Sequence, residues 1–198
     1  MNDLKFFTNM PERDLYSRFS TILRNHTQFF DILVGYFRTS GFFRLYSAMK
    51  DIEEIRVLVG LNVDRKTVEI IDRVNGQPTI KQATEVFSDA VEAEFEEAPT
   101  SADVEKGVRY FIEWLKTGKL QLRMYVEAPL HAKVYIMRKD PNYADYYGSV
   151  ITGSSNFSEA GLVNNLEFNV ELRDCADVTF ALERFEELWP PRCWFACQ

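Results

Sequence analysis

Cysteine and histidine are scarce in this chain: three Cys and two His among 198 residues. The cysteines, Cys175, Cys193 and Cys197, are odd in number and crowded toward the C-terminal end, which is not a disulfide framework. One Cys-x3-Cys spacing with no further Cys or His beside it also falls short of a zinc signal. No run of eighteen apolar residues occurs, so no membrane span is expected. The chain does not open on a basic segment followed by an apolar stretch and a small-residue cleavage site, so no secretory signal is expected. A reducing cytoplasm is the default setting. Repeats, low-complexity segments and clear linkers are also absent. A length of 198 residues suits a single domain, 1–198, with a substantial core.

Basic charge is in short supply as well. The net charge of −7 argues at first against a nucleic-acid partner. Its distribution weakens that argument. Between Glu85 and Glu105 there are eight acidic residues and no Lys or Arg; outside that block, 22 acidic residues face 23 basic ones. The block reads either as a solvated helix face or as an acidic shield against non-specific DNA.

What is present is strong apolar patterning. Leu15, Phe19, Ile22, His26, Phe29 and Phe30 recur at helical spacing and predict a helix over about 12 to 28, with His26 as a packing residue on its apolar face. "DILVGYF" follows as a buried strand, and Thr39 or Ser40 could cap a short helix through Met49. "IRVLVGL" suits a strand covered on both faces. "KTVEIIDRV" and residues 80–98 predict helix, broken at Pro99 and restarting behind Thr100 or Ser101. Val104, Val108, Phe111, Ile112 and Leu115 form the stripe of the restarted helix, which Gly118 ends. The period then changes to two: "LQLRMYV", "AKVYIM", "YYGSVITG" and "EFNVEL" read as strands. A last helix from near Asp177 buries Ala181, Leu182, Phe185, Leu188 and Trp189 and stops at Pro190. This order predicts an α/β domain, a mixed β-sheet flanked by helices on both faces.

Three polar interruptions stand out in the strand-rich half. In "HAKVYI", His131 and Lys133 share one strand parity and project side by side, about 6.6 Å apart along the chain. In "TGSSNFSEAGL", Gly153 permits an unusual backbone angle, and Ser154, Ser155 and Asn156 offer hydroxyl, amide and backbone N–H groups to an anion. In "NNLEFNVEL", Glu167 stands among apolar residues, with Asn165 and Asn169 two positions either side. Each alone is weak. Together they hold what phosphodiester chemistry needs. An imidazole can attack phosphorus or protonate a leaving oxygen. A lysine and an asparagine can orient non-bridging oxygens. A carboxylate can fix an imidazole tautomer.

"HAKVYI … GSSNFSEAGLVNNLEFNVEL" resembles the signature of the phospholipase D superfamily, His-x-Lys followed by Gly-Ser-x-Asn and a later Glu. It is most similar to the phospholipase-D-like nuclease domains at the N-terminus of bacterial DEAD/H-type helicases and in some restriction enzymes. "ILVGYFRTSGFFRL" and "IRVLVGL" resemble their first two strands, so the likeness covers roughly residues 15 to 190. The resemblance implies a metal-independent, cofactor-free phosphodiesterase acting on DNA through a phosphohistidine on His131. Lys133, Asn156 and Ser154 or Ser155 would hold phosphate, and Glu167 would orient the imidazole. It also implies a homodimer, because that mechanism needs a second histidine and the chain has one copy of the motif. A helicase is implied as partner or continuation, and no membrane is. The chain departs from the family in one place: the aspartate five residues after the lysine is Arg138, and Asp140 comes two residues late. That departure leaves open a DNA-binding and dimerisation module that no longer cleaves. A phospholipid phosphodiesterase is a weaker alternative.

Overall fold

The computed structural model describes residues 5–60, 102–125, 127–140, 142 and 147–189. The elements are β1 (Phe6–Thr8), α1 (Leu15–His26), β2 (Phe29–Val34), α2 (Thr39–Leu45), β3 (Glu54–Gly60), α3 (Ala102–Thr117), β4 (Leu120–Tyr125), β5 (Lys133–Arg138), β6 (Gly148–Gly153), β7 (Phe168–Leu172) and α4 (Cys175–Leu188). The seven strands form one sheet in the order β1-β7-β6-β5-β2-β3-β4. β2, β3 and β4 run parallel, and the other pairs are antiparallel, so the sheet is mixed as expected. The helices expected over "KTVEIIDRV" and residues 80–98, the acidic block up to residue 101, and the tail with Cys193 and Cys197 lie outside the described residues.

Strand alternation sorts the side chains into two layers. Phe30, Ile32 and Val34 of β2, Ile55, Val57 and Val59 of β3, and Tyr135 and Met137 of β5 join the larger core with Phe19 and Ile22 of α1, Phe42 of α2, and Phe111 and Trp114 of α3. Leu33, Leu58, Ile136 and Val150 face the other way and pack on Val178 and Phe185 of α4. Helices therefore cover both faces. Each fully buried Phe or Leu here contributes about 1.5–3 kcal/mol through removal from water.

Several local expectations are corrected. His26 is exposed in the last turn of α1 rather than buried on its apolar face. Asp14, not a residue near 12, starts α1, accepting from the Tyr16 and Ser17 N–H groups. Neither Thr39 nor Ser40 caps α2: Arg38 occupies that position without a side-chain bond, and Thr39 is buried. Ile112 is exposed, and Trp114 takes the core place beside Phe111. Gly118 ends α3 with φ of 78°, the left-handed conformation glycine adopts without a steric penalty. Among the described residues, no helix is long and apolar enough to cross a membrane.

Candidate functional site

β5 starts where β2 ends, with Lys133 opposite Val34. β6 ends at Gly153 opposite Asn169, near the start of β7. One edge of the sheet, the edge where parallel β2 and β3 finish, therefore gathers His131, Lys133, the turn 154–156 and Glu167. Crevices at the carboxyl ends of such strands are where open α/β sheets present polar groups to ligands. His131 itself precedes the strand, which begins at Lys133, so the motif straddles a strand start rather than lying within it.

Two glycines make room for the His131 segment. A Cβ on Gly60 would lie 2.5 Å from the Leu130 carbonyl oxygen, and one on Gly35 would lie 2.9 Å from the same oxygen and 3.1 Å from the His131 Cα. The segment thus passes in direct backbone contact over the ends of β2 and β3. The Gly35 N–H donates to the Ala132 carbonyl at 2.8 Å and fixes it there.

The Gly-Ser-Ser-Asn turn is tied down from beneath. The Ser154 N–H donates to the Phe168 carbonyl at 3.0 Å, and the Phe168 N–H donates to Ser154 Oγ at 3.0 Å. Ser155 is fully buried, and its Oγ accepts Asn169 Nδ2–H at 2.9 Å, while Asn169 Oδ1 accepts the Ser155 N–H at 3.4 Å. Tyr135, also fully buried, donates its hydroxyl to the Ser155 carbonyl at 2.7 Å. Burial first, and then the charge of Glu167, push the Tyr135 phenol well above its ordinary value, so it remains a neutral donor. Gly153 has no positive φ; its role is close approach, since a Cβ would sit 2.2 Å from the Phe168 carbonyl oxygen.

The structure brings the motif residues to one edge but does not join them all. His131 is exposed, and among the described residues nothing hydrogen-bonds its ring. Lys133 is half-buried, with Nζ 3.5 Å from the His131 carbonyl, a weak contact. Asn156 has a buried Oδ1 with no hydrogen-bond partner. Glu167 accepts from Ser154 Oγ and, at 3.3 Å, from Asn165 Nδ2, rather than meeting the imidazole. Of the two serines, only Ser154 turns its hydroxyl outward; the Ser155 side chain faces the core. Sequence reasoning missed Tyr135, Gly35 and Gly60 as supports. Asn165 and Asn169 had already drawn notice at two positions either side of Glu167, and each proves to hold a neighbouring polar group.

Arg138, which departs from the family pattern, stands at the far end of β5 and on its other face. It donates Nε–H to Asp31 Oδ2 at 3.1 Å. Asp31 also accepts Arg56 Nε–H at 2.6 Å, and Arg56 donates to Glu186 of α4 at 2.6 Å. The substitution thus belongs to a buried charge network under α4 and not to the motif edge.

What collects at that edge is an imidazole, an ammonium, a hydroxyl, an amide and a carboxylate; the ammonium, the hydroxyl and the amide N–H group are donors suited to a tetrahedral anion. The family model for "Cardiolipin synthase, PLD-like domain" matches residues 20–189. No curated protein matches the chain. Among solved structures, NucT from Helicobacter pylori is 15% identical, covering 93% of each chain, with a TM-score of 0.49. Nuc from Salmonella typhimurium, a phospholipase D family member, is 14% identical over 93% of this chain and 91% of its own, also at 0.49. Phosphatidylserine synthase from Haemophilus influenzae is 12% identical over 93% of this chain and 37% of its own, at 0.53. At that identity the likeness to the last of these is one of fold alone.

Proposed function

The chain belongs to the phospholipase-D-like domain family, and from that premise we propose that it is a phosphodiesterase that cleaves nucleic acid, DNA foremost, without a metal ion. The observation that carries the reading is the meeting of His131, Lys133, the 154–156 turn and Glu167 at one sheet edge, on the ends of three successive strands. The reaction runs in two steps. A ring nitrogen of His131 forms a bond to phosphorus while the bond from phosphorus to the leaving oxygen breaks, and that oxygen takes a proton from a second imidazole. The second imidazole then takes a proton from water, whose oxygen displaces His131 from phosphorus. Lys133 and Asn156 hold the non-bridging oxygens, and the Ser154 hydroxyl assists. Glu167 orients the His131 ring once substrate draws the imidazole inward.

The second imidazole is His131 of another copy. His26, the other histidine, lies in the last turn of α1 and has Gln28 two positions on, so it repeats no motif. A two-fold axis at the motif edge makes one cleft from two turns, in an isologous interface. Residues 1–198 are one domain, a module that serves a helicase or restriction partner.

Nuclease activity with and without EDTA, on the wild type and on His131→Ala, tests the reading. Cleavage that survives EDTA and vanishes in the variant supports it. Cleavage that appears only with magnesium sinks the phosphohistidine route. One observation favours a second reading, a DNA-docking module that does not cleave: the Glu167 carboxylate is engaged by Ser154 and Asn165 instead of an imidazole. DNA binding without turnover of any phosphodiester would select it.

A further inference from the structure

Ser155 turns its side chain to the core, yet each of its polar atoms is held. Its Oγ accepts Asn169 Nδ2–H at 2.9 Å, its N–H donates to Asn169 Oδ1 at 3.4 Å, and its carbonyl accepts the Tyr135 hydroxyl at 2.7 Å. The two residues that grip it come from different strands. Tyr135 follows Lys133 by two positions on β5, and Asn169 follows Glu167 by two positions into β7. Tyr135, Ser155 and Asn169 are all buried. Tyr135 lies in an apolar nest, edge-on to the Phe19 ring at 5.0 Å and tilted against the Phe157 ring at 6.3 Å. A phenylalanine would fill that place as well. Replacing buried hydrogen-bonded groups by apolar ones of the same shape is close to neutral for stability. Cohesion of the core therefore does not account for three polar side chains there, whereas fixing one geometry does.

We infer that Tyr135 and Asn169 are positioning residues of the site, holding the two peptide planes on either side of Ser155 so that Ser154 and Asn156 meet the phosphate. That role presupposes the phosphodiesterase reading above and deepens it. A peptide unit is planar, so a bond to its oxygen or to its N–H orients the whole unit. The Ser155 carbonyl shares a unit with the Asn156 nitrogen, and the Tyr135 hydroxyl fixes that plane. The Ser155 N–H shares a unit with the Ser154 carbonyl, and Asn169 fixes that one. Ser154 and Asn156 leave the turn from these two planes. The Asn156 backbone also lies against Gly161, where an added Cβ would come 2.4 Å from the Asn156 carbonyl oxygen. Neither Tyr135 nor Asn169 touches the phosphate. A bound diester can settle onto a displaced amide or hydroxyl, whereas the transition state, whose geometry is set by the bonds being made and broken, cannot.

The test uses the full chain, a deoxyoligonucleotide and bis(p-nitrophenyl) phosphate as substrates, and two anions followed by titration calorimetry. Inorganic phosphate resembles a ground state. Orthovanadate takes up a fifth ligand and resembles phosphorus in the transition state. Tyr135→Phe, which keeps the core filled, is expected to lower kcat at least about tenfold and to change KM by less than about twofold. Its affinity for orthovanadate should fall by the same factor as kcat/KM, while its affinity for phosphate holds. Asn169→Ala should do the same in its folded fraction. Val178→Ala, on the opposite face of the sheet, controls for a general loss of stability and should leave kcat, KM and both affinities at wild-type values. Variants that cleave like the wild type, a loss carried by KM, an equal loss for both anions, or the same split in Val178→Ala would each overturn the positioning role alone. Where neither diester is cleaved but orthovanadate binds, Tyr135→Phe decides: binding at least about tenfold weaker supports the role, and unchanged binding overturns it. A chain that cleaves neither diester and does not bind orthovanadate would overturn the phosphodiesterase reading together with the positioning role.

Discussion

The two ends of β5 treat charge in opposite ways. At the Arg138 end the charges are paired: Asp31 lies between the guanidiniums of Arg138 and Arg56, and Arg56 reaches Glu186. Burial works to lower the Arg56 pKa, but its bonds to Asp31 and Glu186 outweigh that and raise it, so the guanidinium stays charged. The Arg56 guanidinium also lies over the Phe185 ring at 4.9 Å, which pins α4 to the sheet. At the Lys133 end, five residues away along the same strand, polar groups are left open. The ammonium has one weak contact, the imidazole is exposed, and the Asn156 carbonyl oxygen is buried without a donor. An unmet buried acceptor costs about 1–3 kcal/mol, a cost that an ordered water would relieve. One end of the strand holds the molecule together and the other is prepared for something that arrives.

Substitutions can separate these roles. The largest expected effect is on activity: His131→Ala should remove cleavage by at least about a thousandfold, on the scale seen when a nucleophile is deleted, with no change in thermal midpoint. A coupled loss of folding would merge the two ends and refute the division. Mixing active chains with His131→Ala chains sharpens the point. If two copies share the site, mixed dimers isolated by tag should be as inactive as the variant; half the normal activity would show each chain to be complete. Next comes Asp31→Ala, which takes the shared carboxylate from the half-buried Arg138 and leaves the buried Arg56 with Glu186. It should destabilise by about 3–5 kcal/mol in urea titration, while specific activity of the folded fraction holds.

Smaller effects lie farther from both ends. On β7, burial works to raise the Glu171 carboxyl, yet hydrogen bonds from Arg18 and Arg173 outweigh it and leave its pKa below the ordinary carboxylate value. A depressed folded value means this group adds stability above its unfolded pKa and loses that contribution as pH falls through the folded one. The stability advantage of the wild type over Glu171→Gln, read by urea titration followed by circular dichroism at stepped pH, should therefore be full above about pH 4.3 and shrink as the pH falls below it. The smallest effect belongs to the exposed Arg44–Glu159 pair. Arg44→Ala should cost less than about 1 kcal/mol, because water screens such pairs.

Much of this was readable from residues alone, for physical reasons that also explain the gaps. β2 through β7 announce themselves because apolar runs and alternation are local signals. The motif was legible because its members recur in order around strand ends. β1 was missed: three residues are too few to show a period, and Phe6 is exposed. The π-helical turn Ala160–Asn164 carries no periodic signature of its own. His26 was misplaced because helical spacing alone does not say where the buried stripe stops. Ser154 and Ser155 are adjacent and chemically alike, and only the partner on β7 decides which turns inward. The Asp31 network joins residues 25 and 107 positions apart, which no local pattern can announce.

The glycines at the ends of β2 and β3 have a consequence for how this surface can vary. The path of residues 130–131 is set largely by backbone lying on backbone at Gly35 and Gly60, while Leu130 and Ala132 pack their side chains against the second core cluster. A single added carbon at 35 or 60 lifts it away from the sheet. The place of His131 is therefore held by two residues that carry no functional group of their own. Mutational tolerance across the segment should be lopsided in their disfavour, with the quietest side chains the least replaceable.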